Sequence, residues 1–127
     1  MLTFDALTEG ATFGPIDLGI PEGEFEGLYG KLNPAASSSA GLPSGLLMAL
    51  AMRGYLEALS ERPRGNVHAG QKVTWLSSVG RGLPLAVRVR CAAKELRKGR
   101  RWVTFDAVLE AGGTPHLLIS NTMIWAQ

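Results

Sequence analysis

Apolar side chains occupy almost every position between Ser44 and Ser60, a stretch that is also dense in strong helix formers. Beyond its first turn only Arg53, Glu57 and Ser60 are polar, and spacings of four and three residues place them on one narrow stripe of a helix. The pattern therefore predicts a long helix whose other faces are all covered by protein. Pro43 and Ser44 suit the cap and the first turn of this helix, because proline loses no hydrogen bond there and a serine oxygen can accept an orphan backbone N–H.

The second half of the chain has the period of β-strands. Leu85, Val87 and Val89 alternate with Arg88 and Arg90, as in a half-buried antiparallel strand. Four such runs are predicted: Val67 to Val79, Leu85 to Leu96, Arg101 to Ala111 and His116 to Ala126. The first third of the chain is rich in Gly and Pro, and we expect one or two short strands there, near Ala11 to Ile20 and Phe25 to Tyr29.

Turns and chain length complete the predicted architecture. Lys98-Gly99 and Gly112-Gly113 tolerate positive φ, so we expect tight hairpins between the last three runs and the order strand, buried helix, antiparallel meander. A helix apolar nearly all round, in a chain of 127 residues without a second helix of similar length, has to be wrapped by a curved sheet. The predicted fold class is α+β, one long buried helix wrapped by a curved antiparallel sheet, in a single domain over residues 1–127.

Composition narrows the functional classes. The net charge is +2, and the basic residues are spread along the chain apart from a cluster at Arg97, Lys98, Arg100 and Arg101, so nucleic acid is not an expected partner. The one cysteine, Cys91, cannot form an internal disulfide, and no leader-like segment precedes the domain, so we expect a cytoplasmic protein. No apolar run is long enough for a membrane span, and the spacing of His and Cys predicts no metal site.

The order of these elements resembles the hotdog fold, and several segments resemble the MaoC-like family of (R)-specific enoyl thioester hydratases and dehydratases. The match extends from about Leu42 to the C-terminus and is most similar to the non-catalytic N-terminal halves of double-hotdog members. The segments that carry it are Leu42-Pro-Ser-Gly-Leu-Leu-Met-Ala-Leu, Val67-His-Ala-Gly-Gln-Lys-Val-Thr-Trp, Gly82-Leu-Pro-Leu, Arg97-Lys-Gly-Arg-Arg-Trp-Val and Ile119-Ser-Asn-Thr-Met-Ile-Trp. The resemblance implies an acyl thioester ligand, with coenzyme A or phosphopantetheine as part of the substrate and no separate cofactor.

The family uses an Asp and a His before the helix as general acid and base. Placing Asn33-Pro34 on the family's Asn-Pro pair puts Lys31 at the Asp position and Ala36 at the His position, so the usual dyad is expected to be absent. His68, Tyr29 and Asn33 remain as candidates for catalysis.

Other family positions fall on residues of the predicted helix. Gly45 takes the position of the Gly that opens the helix, and Ser44 that of the preceding His, so their backbone N–H groups are candidates to polarise the thioester carbonyl. Gly45 is equally explained by close packing of the helix. Met48 and Met52 would line an adaptable acyl pocket or belong to the core. Outside the helix, the hairpin residues Arg97, Arg100 and Arg101 would meet coenzyme A phosphates or an acidic carrier protein, or form a solvated turn.

Three functions follow from the resemblance. The first is an acyl-thioester-binding protein of the MaoC-like type, either shaping the pocket of a catalytic MaoC-like subunit or acting as a divergent lyase. The second is a hotdog thioesterase, and the third a non-enzymatic binding or interaction module. Since hotdog domains pair through their sheets, the resemblance implies a homodimer or higher oligomer, or a heterodimer with a catalytic subunit.

Overall fold

The computed structural model describes residues 1–21 and 41–127. One helix and five strands lie in these ranges, and their bounds are β1 Thr12–Gly19, α1 Ser44–Ala58, β2 Val67–Trp75, β3 Leu85–Arg97, β4 Arg100–Ala111 and β5 Thr114–Trp125. The strands form one antiparallel sheet in the order β1-β3-β4-β5-β2, with α1 packed on one face. The predicted α+β class is confirmed. The predicted strand at Phe25 to Tyr29 lies outside the described residues.

The predicted meander is right only for β3, β4 and β5, because β2 pairs with β5 at the far edge of the sheet. The chain after β2 returns across the sheet to reach β3. Leu42 N–H donates to Val79 O over 2.9 Å on this path, and Gly41 bridges Gly80. The helix start therefore lies beside the crossing segment.

Both predicted hairpins are confirmed, and each is a two-residue turn. Lys98 and Gly99 have φ values of 51° and 74°, while Gly112 and Gly113 have 56° and 85°. Positive φ at both central positions defines a type I′ turn, whose twist matches that of paired strands.

The core lies between α1 and the inner face of the sheet. The buried residues of α1 recur at the spacing of one helical face, and they are Leu46, Leu47, Leu50, Ala51, Gly54 and Tyr55. Phe105 of β4 is fully buried at the centre, with ring centroids 6.2 Å from Tyr55 and 5.4 Å from Trp125. Aromatic contacts of this kind add to the free energy gained from burial.

Two expectations for the helix were wrong. Ser44 is not its cap: Pro43 is the cap residue, no side chain caps the helix, and Ser44 is exposed in the first turn. The helix is also not covered on every apolar face, because Ala49 is exposed and Leu56 keeps 44% of its surface. Periodicity shows which residues are apolar, but not whether the same chain covers them. Among the described residues, no helix is both long and apolar enough to cross a bilayer.

Gly54 provides a test of the packing of α1 on the sheet. A Cβ at this position would lie 2.6 Å from Val87 Cγ2, so we expect Gly54→Ala to destabilise the protein by roughly 1–3 kcal/mol. Helix propensity alone would favour alanine by about 1 kcal/mol. Urea denaturation measures the difference, and Gly80→Ala is the control, because a Cβ there meets nothing within 4 Å. A stabilised Gly54→Ala variant would contradict the close approach.

Candidate functional site

A groove runs between α1 and β2 on the inner face of the sheet. In the register of β2 with β5, Val73 and Trp75 share the inner face with the buried residues Ile119 and Leu117, yet both are exposed. Across the groove lie the less buried residues of α1, which are Gly45, Met48, Ala49, Met52 and Leu56. The predicted acyl-pocket residues Met48 and Met52 are half-buried and packed against the core, and Met52 Sδ lies 3.5 Å from Gln71 Nε2 of β2, so their role in an acyl pocket stays a prediction.

The amino end of α1 adjoins a mostly apolar cleft of about 310 Å³ at one end of this groove. Its lining residues are Leu42, Ser44, Leu47, Trp75, Leu76, Ser77 and Ser78. Gly45 follows Ser44 and is exposed. The first backbone N–H groups of a helix have no intrahelical partner, and the helix dipole is positive there. This end of the groove can therefore accept a carbonyl oxygen.

The other end of the groove is a cleft of about 540 Å³ at the carboxyl end of α1. The predicted catalytic candidate His68 lines it, together with Tyr55, Arg62, Arg64 and Asn66. A helix of 15 residues is about 22 Å long. Since Gly45 and His68 belong to opposite ends of α1, one protomer does not bring them together.

An amide pair divides the groove near its middle. Gln71 Nε2 donates to Asn121 Oδ1 over 3.0 Å and lies 3.5 Å from Met52 Sδ. Asn121 is completely buried, and its Nδ2 has no hydrogen-bond partner among the described residues. Sequence analysis missed both amides. An Asn at an inward position of a strand otherwise apolar on that face would have been the signal for Asn121.

A serine and a histidine that are far apart in the sequence also meet. Ser77 Oγ lies 2.6 Å from His116 Nδ1, and the backbone N–H of Leu76 donates to His116 O over 2.9 Å. These contacts tether the loop after β2 to the start of β5. Ser77 lines the cleft at the helix start, whereas His116 alternates with the inward residue Leu117 and so belongs to the outer face.

The basic hairpin lies at the far end of the sheet from Gly45. Arg97 stacks 4.5 Å above the Trp102 ring, and these two residues line a depression of about 460 Å³ with Lys98 and Arg100. Arg101 Nη1 donates to Ala126 O over 3.3 Å. The helix start and these cations therefore belong to opposite ends of the sheet within one protomer, and contact of the cations with phosphates remains a prediction.

The remaining candidates lie outside the described ranges. Tyr29 and Asn33 do, as do Lys31 and Ala36, so the absence of the Asp and His dyad stays a prediction from the sequence. In residues 1–21 and 41–127, no three His, Cys, Asp or Glu side chains are grouped so that they would hold a metal ion.

Burial controls the ionisation of two groups. Desolvation raises the pKa of the Tyr55 phenol far above its ordinary value of 10.0, and the nearby charge of Arg62 opposes this only in part. Burial, followed by the charge of Glu9, also raises the pKa of the Cys91 thiol. Tyr55 is therefore a neutral hydrogen-bond donor at physiological pH, and Cys91 is a poor nucleophile.

One helix packed on a curved five-stranded antiparallel sheet is the architecture of hotdog proteins, and the predicted hotdog fold is confirmed. The chain is similar in structure to the MaoC-like dehydratase from Rhodospirillum rubrum, with a TM-score of 0.78 and 17% identity over 100% of this chain and 99% of that one. No family model matches the sequence, and no curated protein matches it.

Two further solved structures extend the range of this likeness. One is the truncated HadBC complex, a (3R)-hydroxyacyl-ACP dehydratase from Mycobacterium tuberculosis, with a TM-score of 0.67 and 15% identity over 91% of this chain and 96% of that one. The other is the fluoroacetyl-CoA thioesterase FlK, with a TM-score of 0.64 and 15% identity over 93% of this chain and 87% of that one. At these identities the likeness is one of fold.

The buried phenol of Tyr55 makes stability depend on alkaline pH. Above the ordinary pKa of 10.0 the unfolded chain loses the Tyr55 proton while the folded protein keeps it, so stability falls as pH rises. We expect the unfolding free energy of the wild type to fall relative to that of Tyr55→Phe by about 1.4 kcal/mol per pH unit above this value. Urea melts of both proteins between pH 8 and about 11 measure the difference. If the difference in unfolding free energy between the two proteins did not change with pH, the pKa of Tyr55 would be the same in the folded and the unfolded chain.

Proposed function

We propose that this chain binds acyl thioesters of coenzyme A or of an acyl carrier protein. The thioester carbonyl would lie at the backbone N–H groups of Ser44 and Gly45, with the acyl chain along Met48 and Met52. The observation that carries the proposal is the groove itself, because its mostly apolar cleft opens at the amino end of α1. Unpaired N–H groups in a site of low polarity are well suited to stabilise a carbonyl oxygen. Coenzyme A or phosphopantetheine enters as part of the substrate.

Two forms of this proposal differ in catalysis. The alignment on Asn33-Pro34 puts Lys31 and Ala36 at the positions of the family's Asp and His, so the usual dyad is expected to be absent. The chain is then a subunit that shapes the acyl pocket for a catalytic MaoC-like partner, which the likeness to the HadBC complex supports. In the second form it is a divergent lyase of fatty acid metabolism that hydrates or dehydrates thioesters with other residues.

Thioester hydrolysis is the second candidate function, and a specific contact favours it. The hydroxyl of Ser77, on a residue that lines the cleft at the helix start, is 2.6 Å from the His116 imidazole. A hydroxyl beside a base is the usual arrangement of an activated nucleophile. The likeness to a fluoroacetyl-CoA thioesterase supports this alternative.

We also propose that β2 pairs with a second hotdog chain, either another copy or a catalytic MaoC-like subunit. Among the described residues β2 pairs only with β5, and its exposed apolar side chains include Val67, Val73 and Trp75. Such an edge is prone to pair with another strand. In a two-fold antiparallel pairing, the start of one β2 lies beside the end of the other, so the two ends of the groove meet across the interface.

The single cysteine bears on the cellular compartment. Cys91 is buried as a free thiol, which fits a reducing environment, and we propose a cytoplasmic location.

Gly45 tests the carbonyl site. Thermal melting with acyl-CoA esters of increasing chain length is expected to raise the midpoint of the wild type, because the ligand binds only the folded state. Gly45→Pro removes the proposed donor and should weaken binding about tenfold or more. Gly45→Ala is the matched control, since it also adds a Cβ but keeps the N–H.

Equal losses in both Gly45 variants would indicate a packing role for the glycine. Hydration of a crotonyl thioester and release of free thiol are measured on the same samples. A midpoint shift without turnover supports the pocket-shaping subunit, release of thiol supports hydrolysis, and no shift at any chain length favours the interaction module.

Val73 tests the pairing of β2. A lysine at this edge position would place two like charges in each two-fold interface, so we expect Val73→Lys to weaken association about tenfold or more. Sedimentation equilibrium of the wild type, the variant and Val108→Lys measures the effect. Val108 lines the outer face of the sheet and is away from β2, so its variant should associate like the wild type. A monomeric wild type, or equal association of all three proteins, would contradict the proposed edge.

A further inference from the structure

The cleft at the carboxyl end of α1 contains hydrogen-bond donors that the fold does not use. Tyr55 Oη and Asn66 Nδ2 are fully buried, and neither has a partner among the described residues. Tyr55 as a whole keeps only 3% of its surface. A buried polar atom without a partner lowers stability, so such atoms commonly mark a place that a ligand or an ordered water fills.

Both groups are available as hydrogen-bond donors. Asn66 Oδ1 accepts the Ala126 N–H over 2.8 Å, which leaves the Nδ2 end of the amide unpaired. The Tyr55 phenol is protonated because burial raises its pKa. Tyr55 and Arg62 both line the cleft, and the Tyr55 hydroxyl has no partner among the described residues.

The charges around the cleft have one sign. Arg62 and Arg64 line it, and no carboxylate side chain is present among its described lining residues. Arg62 Nη1 donates to Leu56 O over 2.8 Å and to Leu59 O over 3.0 Å, so it offsets the negative end of the helix dipole. Arg64 is exposed and adds a further positive charge.

We infer that this cleft binds an anionic oxygen group, a phosphate or a carboxylate, carried on a small apolar body. The donors of Tyr55, Asn66 and Arg64 would meet the anion, and the cleft walls at Met123 and Trp125 would contact the body. The volume of about 540 Å³ is that of a small-molecule site.

The same chemistry has two possible sources. One is a phosphate of coenzyme A whose thioester lies at the helix start of a paired copy, and this source rests on the proposed function. The other is a separate small organic anion.

The experiment is an NMR titration of the ¹⁵N-labelled full chain with inorganic phosphate, phenyl phosphate and coenzyme A. We expect saturable shifts of the Asn66 side-chain NH₂ and the Gly65 backbone N–H, with phenyl phosphate binding about tenfold more tightly than phosphate because of its apolar body. If coenzyme A competes with phenyl phosphate at these signals, the anion is a nucleotide phosphate. If only phenyl phosphate binds, the site takes a separate organic anion.

Three variants test the donors, with the Gly65 N–H as reporter. Asn66→Asp keeps the oxygen that accepts from Ala126 but replaces the donor with a negative charge, Arg64→Gln removes a cation, and Tyr55→Phe removes only the hydroxyl. Each should weaken phenyl phosphate binding about tenfold. Arg90→Gln is the control for Arg64→Gln, because it removes the same charge from a residue that lines a depression away from this cleft.

The inference is overturned if no probe gives a saturable shift, since water alone would then occupy the cleft. It is also overturned if the three variants bind as the wild type does, since the named donors would then not hold the anion. Gly45→Pro should bind phenyl phosphate normally. The experiments can therefore disprove the thioester site at the helix start and the anion site at this cleft independently of each other.

Discussion

The close approach of Gly54 in α1 to Val87 in β3 sets the position of the helix on the sheet, and with it the position of the groove. A side chain at Gly54 would meet Val87 at 2.6 Å, so only glycine allows this separation. The main contacts of α1 are with β1, β3 and β4, which lie toward one side of the sheet. The inner face of β2 is consequently left exposed, and the groove is the space beside an off-centre helix.

Sequence patterns correctly predicted the features of the fold that depend on residues close together in the chain. The period of the second half gave the faces of β3, β4 and β5, and Lys98-Gly99 and Gly112-Gly113 gave both hairpins, because each depends on residues close in sequence. The partner of β2 could not be predicted in this way, since alternation shows which face of a strand is apolar but not which strand lies next to it. The exposure of Leu56 was missed for a related reason: an apolar pattern does not identify the chain that covers it.

The candidate site was predictable only where a backbone feature defined it. Gly45 could be found because a glycine at a helix start is visible in the sequence. Asn121 and Tyr55 could not, because the meaning of a polar side chain depends on whether it is buried and on what it contacts. The same holds for the distance between the predicted residues, since Gly45 and His68 are each plausible alone and yet lie at opposite ends of α1.

The separation of the two ends is best understood together with the edge strand. In one protomer the candidate carbonyl site lies near the end of β2, and the cleft with unpaired donors lies near the start of β2. An exposed edge carrying Val73 and Trp75 favours aggregation unless another strand covers it. Two-fold pairing through β2 would cover this edge and, because it is antiparallel, would set the helix start of one copy against the donor-rich cleft of the other. The strand β2 would then determine both how the copies assemble and which residues form the site. A ligand spanning the interface would contact groups that no single chain brings together.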